Sequence, residues 1–287
     1  MKNFFENATI ICLDGLDCSG KETISNLIST NEKIKKRYSL VDTISFPNYS
    51  YNTSRRDLIS NLLDKDIYKF HNYGIVKDID KIIFESRMFY YNIYNGLMNR
   101  NYKYSFINEN YSNPLFIMDR YWQSNIFYQS AKYLMERFPE DKCINKNSKK
   151  ILYTTMNTLI YEANMFNFPK VDKYFYIKMP IEFIKYFLEK KKNKDINEEN
   201  LDYLIYTKSI YDNYIDMIKT YNENTDINII NTEYENKVYN NLETTIKTYT
   251  DKKDDRLVYA TSINKSYQKL KTTEEIAEEI IDIILED

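Results

Sequence analysis

Apolar residues fall along this chain in two alternating rhythms. Five short, nearly continuous apolar runs occupy residues 8–13, 43–46, 114–118, 173–179 and 227–230, and their length and composition predict buried strands. Between them, apolar residues recur at three- and four-residue spacing over 23–37, 54–62, 79–97, 124–138, 151–164, 181–192 and 201–221, which predicts helices. Strands alternating with helical stretches of this length predict an α/β three-layer sandwich: a parallel sheet wrapped by helices on both faces. Ligands of such sheets lodge beyond the carboxyl ends of the strands. The stretch 233–271 is polar and weakly periodic, and reads as an insertion within a single domain spanning 1–287. A last amphipathic helix follows over 273–285, with Ile276, Ile280, Ile283 and Ile284 as its apolar stripe. Thr272 or Thr273 is placed to cap it, and Glu274 and Glu275 suit the positive end of its dipole.

The turn after the first strand carries the clearest chemistry. Gly15-Leu16-Asp17-Cys18-Ser19-Gly20-Lys21 fits the spacing G-x-x-x-x-G-K, between a predicted strand and a predicted helix. The chain has 4 glycines, and this turn uses two of them. A chance match is expected less than roughly once in a hundred such chains. Successive backbone N–H groups in such a turn form an anion nest, reinforced by the N-terminus of the next helix. Lys21 is then placed to reach the outer phosphates of a nucleotide. The hydroxyl that usually follows the lysine and ligates Mg²⁺ is replaced by Glu22, with Thr23 one step late.

Composition narrows the function classes. Lys and Arg number 40 against 42 Asp and Glu, a balance that gives no electrostatic footprint for nucleic-acid binding. Cys12, Cys18 and Cys143 have no metal-ligand spacing, and read as free thiols of a cytoplasmic protein. No apolar run reaches the ~18 residues of a membrane span, and no secretory signal is expected at the N-terminus. His71 has no evident partner in the sequence. The aromatic clusters at 89–91 and 203–214 predict core or dimer packing, since the basic groove of a nucleic-acid platform is missing.

A second constellation, Asp119-Arg120-Tyr121 through Ser124-Asn125, Tyr128 and Gln129, closes the third strand and opens a helix. With it the chain resembles the thymidylate kinases, whose pattern there is D-R-Y-x-x-S-x-x-A-Y-Q or D-R-Y-x-x-S-N-x-x-x-Q. Three further stretches agree in order: the phosphate loop, Phe46-Pro47-Asn48-Tyr49 for the family's F-P-x-Y, and Lys194-Asp195-Ile196-Asn197-Glu198 for a lid of the K-D-I-H-E type. The resemblance spans about residues 8–231 and the last helix. It implies a five-stranded parallel sheet of order 2-3-1-4-5 of the P-loop kinase type, a homodimer, and ATP with Mg²⁺ as the donor. The implied reaction phosphorylates dTMP, with dUMP as the open alternative.

The resemblance also assigns roles. Lys21 and the amides of Gly15, Leu16, Cys18, Ser19, Gly20, Glu22 and Thr23 would hold the ATP phosphates, with Lys192 and Lys194 closing over them. Asp17 would lie near the acceptor nucleotide and the metal, with Asp119 and Glu198 as further metal candidates. Arg120 would grip the acceptor phosphate, and Arg87 that phosphate or the base. Phe46, Pro47, Tyr49 and Phe84 would line the acceptor site. Asn125 would meet the pyrimidine edge, and Tyr128 would pack under the sugar and disfavour a 2′-hydroxyl.

Several positions depart from the family pattern. Ser86 replaces the acid before Arg87, and Ile83 stands at the stacking position with Phe84 one step on. Neither the loop nor the lid carries an arginine; Lys190, Lys191, Lys192 and Lys194 supply charge there without the bidentate fork. Two other functions are compatible with these residues: a catalytically silent nucleotide-binding relative acting as an interaction module, and a deoxynucleoside kinase.

Overall fold

The computed structural model describes residues 4–46, 78–106, 111–138, 144–191, 200–220, 225–233, 249–250, 257–260 and 267–286. The predicted helix at 54–62, together with Pro47, Tyr49, His71, Cys143, Lys192, Lys194 and Glu198, lies outside them.

All five predicted strands form: β1 (Thr9–Asp14), β2 (Leu40–Ser45), β3 (Pro114–Asp119), β4 (Lys173–Lys178) and β5 (Asp226–Asn231). They pair as one parallel sheet in the order β2-β3-β1-β4-β5. Helices α1 (Lys21–Thr30) and α2 (Glu32–Arg37) follow β1, and α3 (Asp78–Phe106) follows β2. Helices α4 (Trp122–Arg137) and α5 (Lys146–Asn164) lie between β3 and β4. Helices α6 (Ile181–Lys190) and α7 (Leu201–Tyr214) lie between β4 and β5, and α8 (Thr273–Leu285) ends the chain.

Strand alternation sorts the core into two layers. Ile11 and Leu13 of β1 face one side, where they pack with Ile24 and Ile28 of α1 and with Ile276, Ile280 and Ile284 of α8. Ile10 and Cys12 face the other, the layer of Tyr90 in α3, Phe127 in α4, Leu159 in α5 and Tyr211 in α7. Each of these fully buried side chains contributes about 2 kcal/mol. Docking therefore fixes α8 far more than its cap does. That cap is nonetheless complete: Thr272 Oγ1 accepts from Glu275 N at 3.2 Å, and Glu275 Oε2 accepts from Thr272 N at 2.9 Å.

The single helix expected over 23–37 is two. Asn31 is extended at φ −66°, ψ 131°, and its side chain accepts from Lys33 N at 2.9 Å and Ile34 N at 3.4 Å, ending α1 and capping α2. The helix expected over 201–221 becomes 3-10 from Ile215 to Thr220. Between Thr232 and Lys271 the chain departs and returns. Lys271 N donates to Thr232 O at 2.7 Å, and Glu233 bridges Leu270. Three short antiparallel strands, β6 (Tyr249–Thr250), β7 (Leu257–Ala260) and β8 (Tyr267–Lys269), fall inside this excursion.

Candidate active site

The carboxyl ends of β1 and β3 bring the two sequence constellations together. Past Asp14 the chain turns through Gly15 at φ 142°, Cys18 at φ 62° and Gly20 at φ 85° before α1 begins at Lys21. Gly15 admits no side chain, because a Cβ there would lie 2.7 Å from Ile177 O of β4. Past β3, Arg120 takes φ 65° while its backbone N–H donates to Leu13 O at 3.0 Å. A left-handed arginine costs energy, and such strain persists where the surroundings fix it. Here it aims the guanidinium back across β1 to the phosphate loop.

Lys21 is 7 % exposed. Its ammonium donates to Gly15 O at 3.1 Å, Leu16 O at 2.7 Å and Ser19 Oγ at 3.2 Å, which uses all three of its protons on the loop itself. Burial lowers its pKa to about 8, and Arg120 pushes the same way, against Asp17, Asp119 and Asp14. Asp17 ties Arg120 to the phosphate loop. Arg120 Nη2 donates to its Oδ1, and the Tyr128 hydroxyl donates to its Oδ2 at 3.3 Å. Burial raises the Asp17 pKa, but Arg120, Lys21 and the Tyr128 hydrogen bond outweigh it and hold the carboxyl below its usual range. The Arg120 guanidinium also lies 4.9 Å from the Tyr128 ring centroid and 3.4 Å from its hydroxyl. Tyr128 is braced in turn by Tyr203 of α7, whose hydroxyl donates to Tyr128 O at 3.0 Å. Gly15, Asp17, Lys21, Arg120 and Tyr128 thus share one cleft. Leu16 and Ser19 are buried in it, whereas Glu22 and Thr23 open α1 with exposed side chains.

Other predicted residues are placed differently. Arg87 is 58 % exposed, and its Nε and Nη2 donate to both oxygens of Glu162 in α5 at 2.5 and 2.9 Å. That hydrogen bonding raises its pKa further. Glu162 lies in the last turn of α5, where the helix dipole disfavours a carboxylate, so the arginine fork is its compensation. Tyr90, buried one turn further along α3, feels Glu162, approaches the Asn125 side chain and donates to Leu159 O at 3.1 Å. Phe46 is packed into the core against Gly96, where a Cβ would meet its ring at 2.9 Å, and its ring centroid lies 6.1 Å from that of Tyr121. Phe84 is 40 % exposed on α3. Asn125 is buried, and the buried Ser86 Oγ and Gln129 Oε1 near the α3–α4 seam have no protein partner. Among the described residues, Cys12 and Cys18 form no disulfide.

Asp119 ends β3 with its pKa raised by burial and by Asp14 and Glu22, against Lys21 and Arg120. Asp17 and Asp119 are hard oxygen donors of the kind Mg²⁺ takes. No group of three acidic, histidine or cysteine side chains gathers among the described residues, so nucleotide phosphates and water would complete the shell.

One residue of the cleft is not foreshadowed by either motif. Asp14, the last residue of β1, is 0 % exposed and lies on the same sheet face as Ile10 and Cys12. Its carboxylate accepts from Gly15 N at 2.7 Å, from the Tyr211 hydroxyl at 2.9 Å and from the Tyr174 hydroxyl. An acid closing an apolar strand just before the glycine turn is the signal that could have marked it.

No family model matches the chain, and no curated protein matches it. Solved structures to which it is similar include the thymidylate kinase of Ehrlichia chaffeensis, at 16 % identity over 97 % of this chain and 99 % of that one, with a TM-score of 0.45. Another is the thymidylate kinase of Candida albicans, at 16 % identity over 97 % of this chain and 91 % of that one, with a TM-score of 0.46. Likeness at this level assigns no role to any residue. The sheet order stands on the strand pairing itself. No helix among the described residues is long and apolar enough to cross a membrane.

Proposed function

We propose that this chain transfers the γ-phosphoryl group of ATP to a deoxypyrimidine monophosphate in the cytoplasm, with dTMP as the preferred acceptor and dUMP as the close variant. One observation carries the reading: the ion pair of Arg120 with Asp17 brings the strand-end arginine onto the same loop that holds Lys21, at the rim of the sheet. Phosphoryl transfer requires two anionic nucleotides aligned and their repulsion offset, and it asks little covalent work of the protein. The loop amides and Lys21 supply the donor half of that requirement. Arg120 supplies the acceptor half, and its planar fork fixes the direction of the phosphate it binds. Tyr128, held by Arg120, Asp17 and Tyr203, is the wall against which a deoxyribose would rest. Mg²⁺, when bound, neutralises charge developing on the transferred group, and Asp17 and Asp119 are the residues that would anchor it.

An ADP-release assay with dTMP, dUMP, dCMP, dGMP and thymidine tests the reading. Turnover with dTMP above all others is expected; turnover with thymidine alone would turn the enzyme into a nucleoside kinase. ATP binding without turnover on any acceptor would leave only a nucleotide-binding module.

The homodimer is the second part of the proposal. Phe84, Tyr91, Tyr94, Met98 and Tyr102 expose a helically spaced apolar stripe on α3. Light scattering on the eluting protein is expected to give twice the chain mass, and Tyr91→Lys with Met98→Lys to give the monomer. A wild-type monomer at micromolar concentration would end that part.

A further inference from the structure

Both polar groups of Gly15 are committed. Its N–H donates to Asp14 Oδ1 at 2.7 Å, and its carbonyl accepts from Lys21 Nζ at 3.1 Å. The far side of the residue is pressed on β4, as the 2.7 Å approach of a notional Cβ to Ile177 O shows. Asp14 is therefore the first link in a chain that runs through Gly15 to the ammonium of Lys21.

Asp14 is itself clamped. Tyr174 reaches it from β4 and Tyr211 from α7, and all three side chains are fully buried. Burial keeps both phenols neutral at physiological pH, so they are donors to the carboxylate. Tyr211 cannot swing away. Its ring stacks on Tyr176 at 5.0 Å and 7°, and on Phe127 at 4.1 Å and 27°. A buried carboxyl group hydrogen-bonded from three directions is a rigid anchor, and losing one donor leaves a desolvated acceptor short of a partner. A core that needed only packing would place phenylalanine at these positions.

We propose that Asp14 is a positioning residue of the phosphate loop: its carboxylate, fixed by the hydroxyls of Tyr174 and Tyr211, sets the Gly15 turn from which the phosphate-binding amides and Lys21 take their geometry. The inference rests on the reading of this loop as the ATP site, and it assigns the two tyrosines to the donor nucleotide, although Tyr211 also touches the Tyr128 wall at a centroid distance of 6.3 Å.

The test separates loop geometry from general stability. Tyr174→Phe, Asp14→Asn and Asp14→Ala are compared with wild type for melting temperature, ATP dissociation constant by displacement of a fluorescent ATP analogue, acceptor KM and kcat. Tyr174→Phe is expected to remain folded and to weaken ATP binding roughly ten-fold, the loss of one hydrogen bond to a charged group. Its acceptor KM stays within about two-fold of wild type. Asp14→Asn, which keeps an acceptor for Gly15 N–H, is expected to be milder than Asp14→Ala. Folded variants that bind ATP within two-fold of wild type at unchanged kcat overturn the proposal, and so does a parallel loss of donor and acceptor affinity. A wild-type protein that binds ATP yet turns over no monophosphate removes the kinase reading, while the ATP arm still decides the role of Asp14. A wild-type protein that binds no ATP removes both.

Discussion

If the proposed reading holds, Lys21→Met lowers kcat by about 10³-fold while the protein stays folded, because it removes the buried cation that would meet the transferred phosphate. In the free protein the three donors of Lys21 rest on the loop carbonyls of Gly15 and Leu16 and on Ser19 Oγ, and burial holds its pKa at about 8. Charge is thus held there against desolvation until phosphate oxygens replace those weaker partners. The linkage has a definite sign. The folded pKa lies below that of the unfolded chain, so between about 8 and the ordinary lysine value of 10.5 the unfolded chain binds more protons. The contribution of Lys21 to stability rises with pH across that window. Below it, the free fold carries the cost of the charged form, and melting of Lys21→Met at pH 7 is expected to show little loss or a gain. Nucleotide phosphates reverse the shift by favouring the cation, so ATP binding takes up a proton above about pH 8. Calorimetry in buffers of different ionisation heat measures that uptake, and kcat/KM for ATP falls above the same pH because it reports the free enzyme. A flat profile through pH 10 with full activity in Lys21→Met would remove the lysine from the mechanism.

How much of this was readable before the fold depends on distance along the chain. The three central strands, β1, β3 and β4, were legible because a strand of a parallel sheet covered on both faces is a nearly continuous apolar run. The start of β2 was not, since Leu40, Val41 and Asp42 are only half-buried at the sheet edge. The break at Asn31 was hidden within an unbroken apolar period, because a side chain capping the next helix leaves that period intact. The last turns of α3 were missed beyond residue 97, where few aliphatic residues remain and Tyr104 docks instead on Phe116 at 6.0 Å. Within the site, Asp17, Lys21, Arg120 and Tyr128 sit in two compact motifs; spacing brought Lys21 forward, and the family resemblance of the motifs brought the others. Asp14 took its meaning from tyrosines 160 and 197 residues away, and Arg87 took its partner from 75 residues away. No local pattern encodes such pairings.

Arg120→Ala is the second large effect: kcat/KM for the acceptor nucleotide is expected to fall by 10²–10³-fold with ATP affinity nearly unchanged, and Arg120→Lys to recover only part of it. Lysine restores the charge but not the fork that engages Asp17, the Tyr128 hydroxyl and an incoming phosphate together. The same variant reverses a stability trend. In the wild type the Asp17 pKa is held below its unfolded value, so the stabilisation from the pair is present above that value and lost as pH falls through the folded one. Without Arg120, burial becomes the dominant influence on Asp17, its pKa rises, and its contribution to stability then decreases as pH increases. Thermal melts from pH 4 to 8 should therefore diverge, the wild type gaining on the variant toward neutral pH. Both side chains are mostly shielded, at 17 % and 22 % exposed, so screening by salt should leave the divergence in place. Adding Asp17→Asn to Arg120→Ala should restore a flat melting profile without restoring turnover, since it relieves the stranded carboxylate but supplies no cation for the acceptor. If the double variant instead recovered acceptor turnover, Arg120 would be a structural counter-ion to Asp17 and the acceptor phosphate would be bound elsewhere.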